Sequence, residues 1–145
     1  MSSTNITSFT TAAADGYIAV DGISLGGSIV TAAELAQHAV ETTMVDAGTA
    51  QSRYVVSPHA GNIVAAYAVN SVANTTTKTV LTLKIATVLV TMPAWEIAAT
   101  QAVGIVSSSV PTAANVVTAG QAIEIISDGG TDASMPVTIT LVISR

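Results

Sequence analysis

The sequence predicts an all-β protein, mainly a β-sandwich or a jelly-roll-like fold, and three observations support this. Val, Ile and Thr supply 53 of the 145 residues, and such β-branched side chains suit a pleated, half-buried surface better than a helix. Apolar and polar residues alternate in several short segments. Turns rich in Gly, Pro, Asn and Asp separate these segments at spacings of about ten residues, as in sandwiches and small barrels.

Composition and charge exclude several classes of protein. Half of the residues are hydrophobic and 9% are charged, against about 25% charged in a typical domain, so the chain does not resemble a disordered protein. A net charge of −5 argues against nucleic-acid binding, which needs cationic side chains for the phosphates. The apolar runs fall short of the roughly 20 residues that span a membrane. Without cysteine there are no disulfides, thiolate zinc sites or thiol catalysts.

The first segment, residues 1–16, is predicted to be an extended N-terminal arm. It consists mostly of Ser, Thr, Ala and Asn, and it lacks the basic and apolar regions of a secretory signal. Ile6 and Phe9 are its possible apolar anchors, with Tyr17 and Ile18 at its base. We interpret these four side chains as partner-binding residues, because an extended segment can add a strand to a neighbouring sheet. The alternative is a tail without a partner.

Residues 17–50 are predicted to hold a short hairpin and a short helix that pack on the main domain. Asp21-Gly22 lies between two apolar pieces and favours a tight hairpin turn. Thr31 and Glu34 have the spacing of a capping box, so we expect a helix over about residues 32–41.

Residues 51–145 are predicted to form the β-sandwich domain. The clearest strand signals are alternations in which every second residue is apolar, and they end at turns such as Ser57-Pro58. We expect Ile63, Ala65, Tyr67 and Val69 to share one face of their strand. The expected strands are 53–56, 63–69, 81–85, 88–90, 122–126 and 137–143, with weaker candidates at 95–98 and 102–106.

The titratable side chains give little support for catalysis. Ser57 and His59 lie close in sequence, but a nucleophilic site needs spatial contact and a third orienting group. His38 and Glu41 offer two ligands at a helical spacing, which is too few for a metal site. We therefore predict no catalytic residue, no bound metal and no cofactor.

Two further motifs have a structural and a functional interpretation. The loop from Asp128 to Asp132 could hold calcium, but its low acidic density favours a plain hairpin loop. Trp95 beside Glu96 could stack on a sugar, but one tryptophan among five aromatic residues favours a core or interface anchor.

Four runs carry a family resemblance: Arg53–Ile63, Lys84-Ile85, Ala119–Ile125 and Asp128–Thr131. They resemble the small β-rich virion proteins of tailed phages, namely capsid decoration (cement) proteins and related head-fibre modules. The resemblance covers roughly residues 50–145. It implies a catalytically inert β-sandwich, commonly a trimer, that is made in the host cytoplasm and binds the major capsid protein on the outer surface of the virion.

The low charge also indicates a partner surface, because a monomer of this composition must expose many apolar side chains. The expected partners are copies of the chain, with a trimer favoured by the resemblance, and the major capsid protein; we expect no nucleic acid and no membrane. The alternative function is a receptor- or glycan-binding β-module of a phage fibre or spike.

Overall fold

The computed structural model describes residues 22–25, 28–31, 36–130 and 134–145, and all regular elements in these ranges are β-strands. The chain divides into two compact units, residues 1–37 and 38–145. The strands are β1 (Gly22–Leu25), β2 (Ser28–Thr31), β3 (Gln37–Met44), β4 (Gln51–Val56), β5 (Gly61–Asn70), β6 (Thr79–Ile85), β7 (Val88–Leu89), β8 (Trp95–Ile97), β9 (Val106–Ser109), β10 (Val116–Val117), β11 (Ala122–Ser127) and β12 (Val137–Ser144).

Strands β1 and β2 of the first unit pair as an antiparallel hairpin. Leu25 lies opposite Ser28, and Gly22 lies opposite Thr31 at the far end of the ladder. Gly22 of the predicted Asp21-Gly22 turn belongs to strand β1, and Asp21 lies outside the described residues. The β-branched segment after the two glycines supplies the partner strand, and it pairs Val30 with Ile23.

The second unit contains two five-stranded sheets, and the all-β prediction is confirmed. Sheet I has the order β10-β5-β12-β3, with β9 also paired to β5. Sheet II has the order β4-β11-β6-β7, with β8 also paired to β6. Every pairing with an assigned register is antiparallel, as expected for a sandwich built from short strands.

One hydrophobic core lies between the two sheets. Each long strand contributes every second residue to it, so one face of each sheet is buried and the other faces outward. The alternating strands that the sequence indicated most clearly are confirmed. Their buried residues are Leu81, Leu83 and Ile85 in β6, Ile123 and Ile125 in β11, and Val137, Ile139, Leu141 and Ile143 in β12.

The predicted helix is wrong over the part of its range that the structure describes. Gln37–Met44 is a strand, with alternating burial and a place beside β12 in sheet I. Val40, Thr42 and Thr43 favour extension, and pairing with a neighbouring strand outweighs a local capping signal. No helix long and apolar enough to cross a membrane occurs among the described residues.

A β-bulge changes the predicted faces of strand β5. Val142 pairs with Ala65, but the next residue, Ile143, pairs with Ile63, so β5 carries one extra residue there. Ile63 is therefore buried, whereas Ala65 lies on the same outward side as Tyr67. The prediction that Ile63, Ala65, Tyr67 and Val69 share one face is wrong for Ile63 alone.

One of the two weaker strand candidates is displaced along the chain. We expected a strand over residues 102–106, but β9 runs from Val106 to Ser109 and pairs with β5. Residues 102–105 lie in the turn before it, where the Gly104 N–H donates to the Asn70 carbonyl at 3.0 Å. Gly104 has φ +78°, a conformation that favours glycine and stops the apolar run from extending as a strand.

Candidate interaction surface

The outward side of strands β5, β9 and β12 in sheet I is an apolar and hydroxyl-bearing surface without charge. Register pairs place Val69 beside Val106 and Thr138, and Tyr67 beside Ser108 and Thr140. We call this surface the uncharged face. It is formed by Ala65, Tyr67, Val69, Val106, Ser108, Thr138, Thr140 and Val142, all exposed or half-buried.

The uncharged face is bounded by one carboxylate and extended by further apolar side chains. Glu41 lies on the neighbouring edge strand β3 and accepts a hydrogen bond from the Thr140 hydroxyl at 3.2 Å. Val103, Ile105 and Val110 flank β9 in the chain and are exposed. Exposed apolar residues gathered in this way are typical of a surface that meets a partner.

The turn at the end of the uncharged face is held by hydrogen bonds around the buried Asn70. The side-chain nitrogen Nε2 of Gln101 donates to Asn70 Oδ1 at 3.0 Å and to the Ile105 carbonyl at 3.2 Å. Asn70 is fully buried, and its Nδ2 donates to the Ala102 carbonyl at 3.2 Å. These bonds hold the backbone of the turn that carries Val103 and Ile105. Both side chains are exposed beside the sheet.

The outward side of sheet II has a different character. Tyr54 is 65% exposed, and its hydroxyl donates to Glu124 Oε1 at 3.0 Å across the β4–β11 pair. A hydrogen bond from the Ser52 side chain lowers the pKa of Glu124, and Tyr54 and Lys84 lower it further. Lys84 lies opposite Glu124 on the adjacent strand. The charges of the sandwich faces are therefore concentrated on one side.

Trp95 is a core residue. Its side chain is 1% exposed, and its indole N–H donates to the Ser107 carbonyl at 3.3 Å, which joins β8 of sheet II to β9 of sheet I. The interpretation of Trp95 as an anchor is confirmed, and a buried indole cannot stack on a sugar.

Ser57 and His59 are close in space but are not arranged for nucleophilic attack. Ser57 is fully buried, and its hydroxyl donates to the His59 backbone carbonyl at 2.6 Å. The imidazole of His59 instead meets the imidazole of His38, with ring centroids 4.9 Å apart and planes at 86°. Burial lowers the pKa of His38, and the charges of His59 and Arg145 lower it further.

His38 and Glu41 are not neighbours on one helical face, because β3 is a strand and residues at odd separations point to opposite sides. His38 faces the core side, and Glu41 faces outward. Within the described residues no group of three or more His, Asp or Glu side chains gathers as a metal site.

Asp128 organises the loop after β11. Its Oδ1 accepts hydrogen bonds from the Val80 N–H at 2.9 Å and the Gly130 N–H at 3.2 Å. These contacts fit the structural interpretation of the loop, because the carboxylate is engaged by backbone donors. Residues 131–133, and with them the second carboxylate of the proposed calcium loop, lie outside the described residues.

Asp46 has a similar role in the loop after β3. Its Oδ1 accepts from the Met135 N–H at 2.9 Å and from the Gly48 N–H at 3.0 Å, and its Oδ2 accepts from the Thr49 hydroxyl at 2.8 Å. The bond from Met135, with those from Thr49 and Gly48, lowers the pKa of Asp46. Asp46 therefore ties this loop to the segment that precedes β12.

The predicted partner-binding residues Ile6, Phe9, Tyr17 and Ile18 lie outside the described residues. The uncharged face was not identified from the sequence, although its signal is present. Thr138 and Thr140 alternate with buried residues of β12, and Tyr67 does so in β5, but only the register shows that these outward residues adjoin.

Comparisons with known proteins give little information on identity. No family model and no curated protein matches the chain. Among solved structures, the exo-β-1,3-galactanase of Phanerochaete chrysosporium, crystallised with galactose, is similar at a TM-score of 0.39 and 12% sequence identity. The match covers 80% of this chain and 30% of that one, and a likeness this weak carries no argument about function.

Proposed function

We propose that the chain is a non-enzymatic structural virion protein that binds the major capsid protein and stabilises a phage capsid from its outer surface, as decoration or cement proteins do. The observation that carries this proposal is the uncharged face. Burying an unpaired charge is far more costly than burying a hydroxyl, which can form a hydrogen bond across an interface, so an apolar and hydroxyl-bearing sheet face suits contact with a partner. The family resemblance over residues 50–145 implies that the bound surface is a phage capsid.

The same face supports association between copies of the chain. A face without charge can meet a second copy of the chain without burying an unpaired charge or placing like charges together. Val69, Tyr67 and Val106 give the face its apolar area. The preference for a trimer is implied by the family resemblance.

The alternative, a receptor- or glycan-binding module, is favoured by one different observation. Tyr54 presents an exposed ring on sheet II, and a carboxylate and an ammonium group lie on the next two strands, at Glu124 and Lys84. A sugar can stack on such a ring and exchange hydrogen bonds with charged neighbours. We rank the glycan-binding function below the capsid-binding one, because one exposed tyrosine on sheet II offers a small surface for stacking a sugar.

Replacing Val106 with glutamate is expected to weaken capsid binding at least about tenfold, because the interface would have to bury a carboxylate. Val88→Glu is the matched control, since Val88 has the same 57% exposure but lies in β7 of sheet II. Co-sedimentation of each protein with undecorated capsids measures the effect, and circular dichroism checks that both variants fold. Equal binding by the two variants would show that the uncharged face is not the contact surface.

A glycan array on the wild-type chain and on Tyr54→Ala tests the alternative. Failure to co-sediment with capsids, together with sugar binding that requires Tyr54, would replace the capsid proposal by the glycan-binding one.

A further inference from the structure

The two histidines of the chain come together at one corner of the sandwich. His38 lies near the start of β3, and His59 lies in the connection between β4 and β5. Their ring centroids are 4.9 Å apart and the ring planes meet at 86°, so the contact is edge to face. Nε2 of His38 is buried there without a hydrogen-bond partner. A neutral nitrogen in this position costs little stability, whereas a protonated one would be an unpaired charge removed from water.

The charges that act on the His38 ring are positive. The charge of His59 and that of Arg145, which directly follows β12, both oppose a proton on His38. Arg53, on the core side of the other edge strand, β4, is a further cation. Glu41 belongs to β3 itself but lies on the outward side, beside the uncharged face. Among the described residues no carboxylate, that of Arg145 included, forms an ion pair with either imidazole.

We propose that the contact between His38 and His59 is acid-sensitive: it holds the start of β3 on the sandwich while the imidazoles are neutral, and it opens when they take up protons. β3 is the edge strand of sheet I, and β12 is its only neighbour in the sheet among the described strands. The end of an edge strand opens at a lower free-energy cost than the centre of a sheet. Opening gives the His38 nitrogen access to water, which a charged imidazole requires.

Opening of β3 would change the border of the uncharged face. Glu41 of β3 accepts the hydrogen bond from Thr140 of β12, so a detached β3 withdraws the carboxylate that bounds this face. It also leaves one backbone edge of β12 unpaired, and an unpaired edge can accept a strand from another chain. Acid would therefore act beside the surface that the proposed function assigns to a partner. The acid-sensitive contact does not depend on that function, because it is a property of the sandwich alone.

The direction of the pH effect follows from His38. Burial lowers the pKa of His38 below its ordinary value of 6.5, and the charges of His59 and Arg145 lower it further. The unfolded chain therefore binds a proton more readily than the folded one, so the contribution to stability is complete above pH 6.5 and is lost as the pH falls from there through the folded-state pKa. For one proton, the unfolding equilibrium constant rises about three- to tenfold between about pH 7.5 and 5.5. Asp46 and Glu124 have lowered pKa values and titrate at lower pH.

Urea denaturation of the full chain at about pH 7.5 and 5.5, followed by circular dichroism, tests the proposal. We expect the about three- to tenfold rise in the wild-type chain and no comparable rise in His38→Phe, whose ring keeps the contact with His59 but has no nitrogen to protonate. Because the unpaired nitrogen is also removed, His38→Phe should be at least as stable as the wild type at the higher pH. His59→Gln and Arg145→Gln should each reduce the rise without abolishing it, since the burial of His38 remains.

NMR of the wild-type chain tests the same contact without a substitution. The imidazole signals of His38 should titrate with a midpoint below 6.5, and the protected backbone amides of residues 38–42 should lose protection at least about threefold over the same pH range. Four results would overturn the proposal. They are an unfolding constant that does not change between the two pH values, an equal change in His38→Phe, a His38 midpoint at or above 6.5, and amide protection at the start of β3 that is independent of pH.

Discussion

Replacing Gly130 with alanine is expected to lower the free energy of unfolding by about 2–4 kcal/mol, at the upper end of ordinary single substitutions. A Cβ at this position would lie 1.8 Å from the Lys78 carbonyl oxygen and 2.8 Å from its carbon, so the backbone itself would have to move. The obstacle is rigid, because Lys78 immediately precedes β6 and the Asp128 carboxylate binds this loop to Val80. Urea denaturation monitored by circular dichroism measures the change.

Gly120→Ala is the control for this prediction. Gly120 has φ +78°, so alanine is strained there, but nothing lies within 4 Å of the added Cβ. The expected loss is therefore only the conformational term of about 1–2 kcal/mol. Equal losses in the two variants would mean that the loop after β11 does not approach Lys78 as closely as the structure shows.

Replacing Trp95 with alanine is expected to cost about 3–5 kcal/mol, because a large side chain in the core would be replaced by a cavity. The tryptophan is 1% exposed and contributes the hydrogen bond to Ser107 that joins the two sheets. Trp95→Phe keeps most of the volume but leaves the Ser107 carbonyl without this donor, so a smaller loss of about 1–3 kcal/mol is expected.

Tyr54→Ala is the comparison for Trp95→Ala, since Tyr54 is 65% exposed and its loss should change stability by no more than about 0.5–1 kcal/mol. Thermal unfolding of Trp95→Ala, Trp95→Phe and Tyr54→Ala ranks the three variants by their melting temperatures. A Trp95→Ala variant with wild-type stability would contradict the core position and would renew the interpretation of Trp95 as a surface platform.

The sequence was informative wherever burial alternates strictly. Leu81, Leu83 and Ile85, and likewise the apolar residues of 137–143, share one face, because neighbouring side chains of a strand point to opposite sides. Sequence reasoning failed at β3, because the Thr31/Glu34 spacing ahead of it and the neighbouring alanines also suit the start of a helix. The decisive contact there is with β12, about a hundred residues away in the sequence, and no local pattern contains it.

The same limit applies to the candidate sites. His38 and Glu41 were compared as neighbours because a helix would place them together, whereas the strand separates them and brings His38 to His59. The bulge in β5 changes which side Ile63 faces, and the alternation of the sequence does not reveal an extra residue. The uncharged face depends on three strand registers, so it became visible only when β5, β9 and β12 were aligned.

We propose that a partner covers the uncharged face. Association between copies of the chain is the part of this proposal that can be tested with the protein alone. Sedimentation velocity on the full chain at micromolar concentration is the most direct measurement. We expect a species of three times the 14.5 kDa chain mass, shifted toward the monomer by Val106→Glu and unchanged by Val88→Glu. A wild-type chain that sediments as a stable 14.5 kDa monomer would contradict the association of copies through the uncharged face.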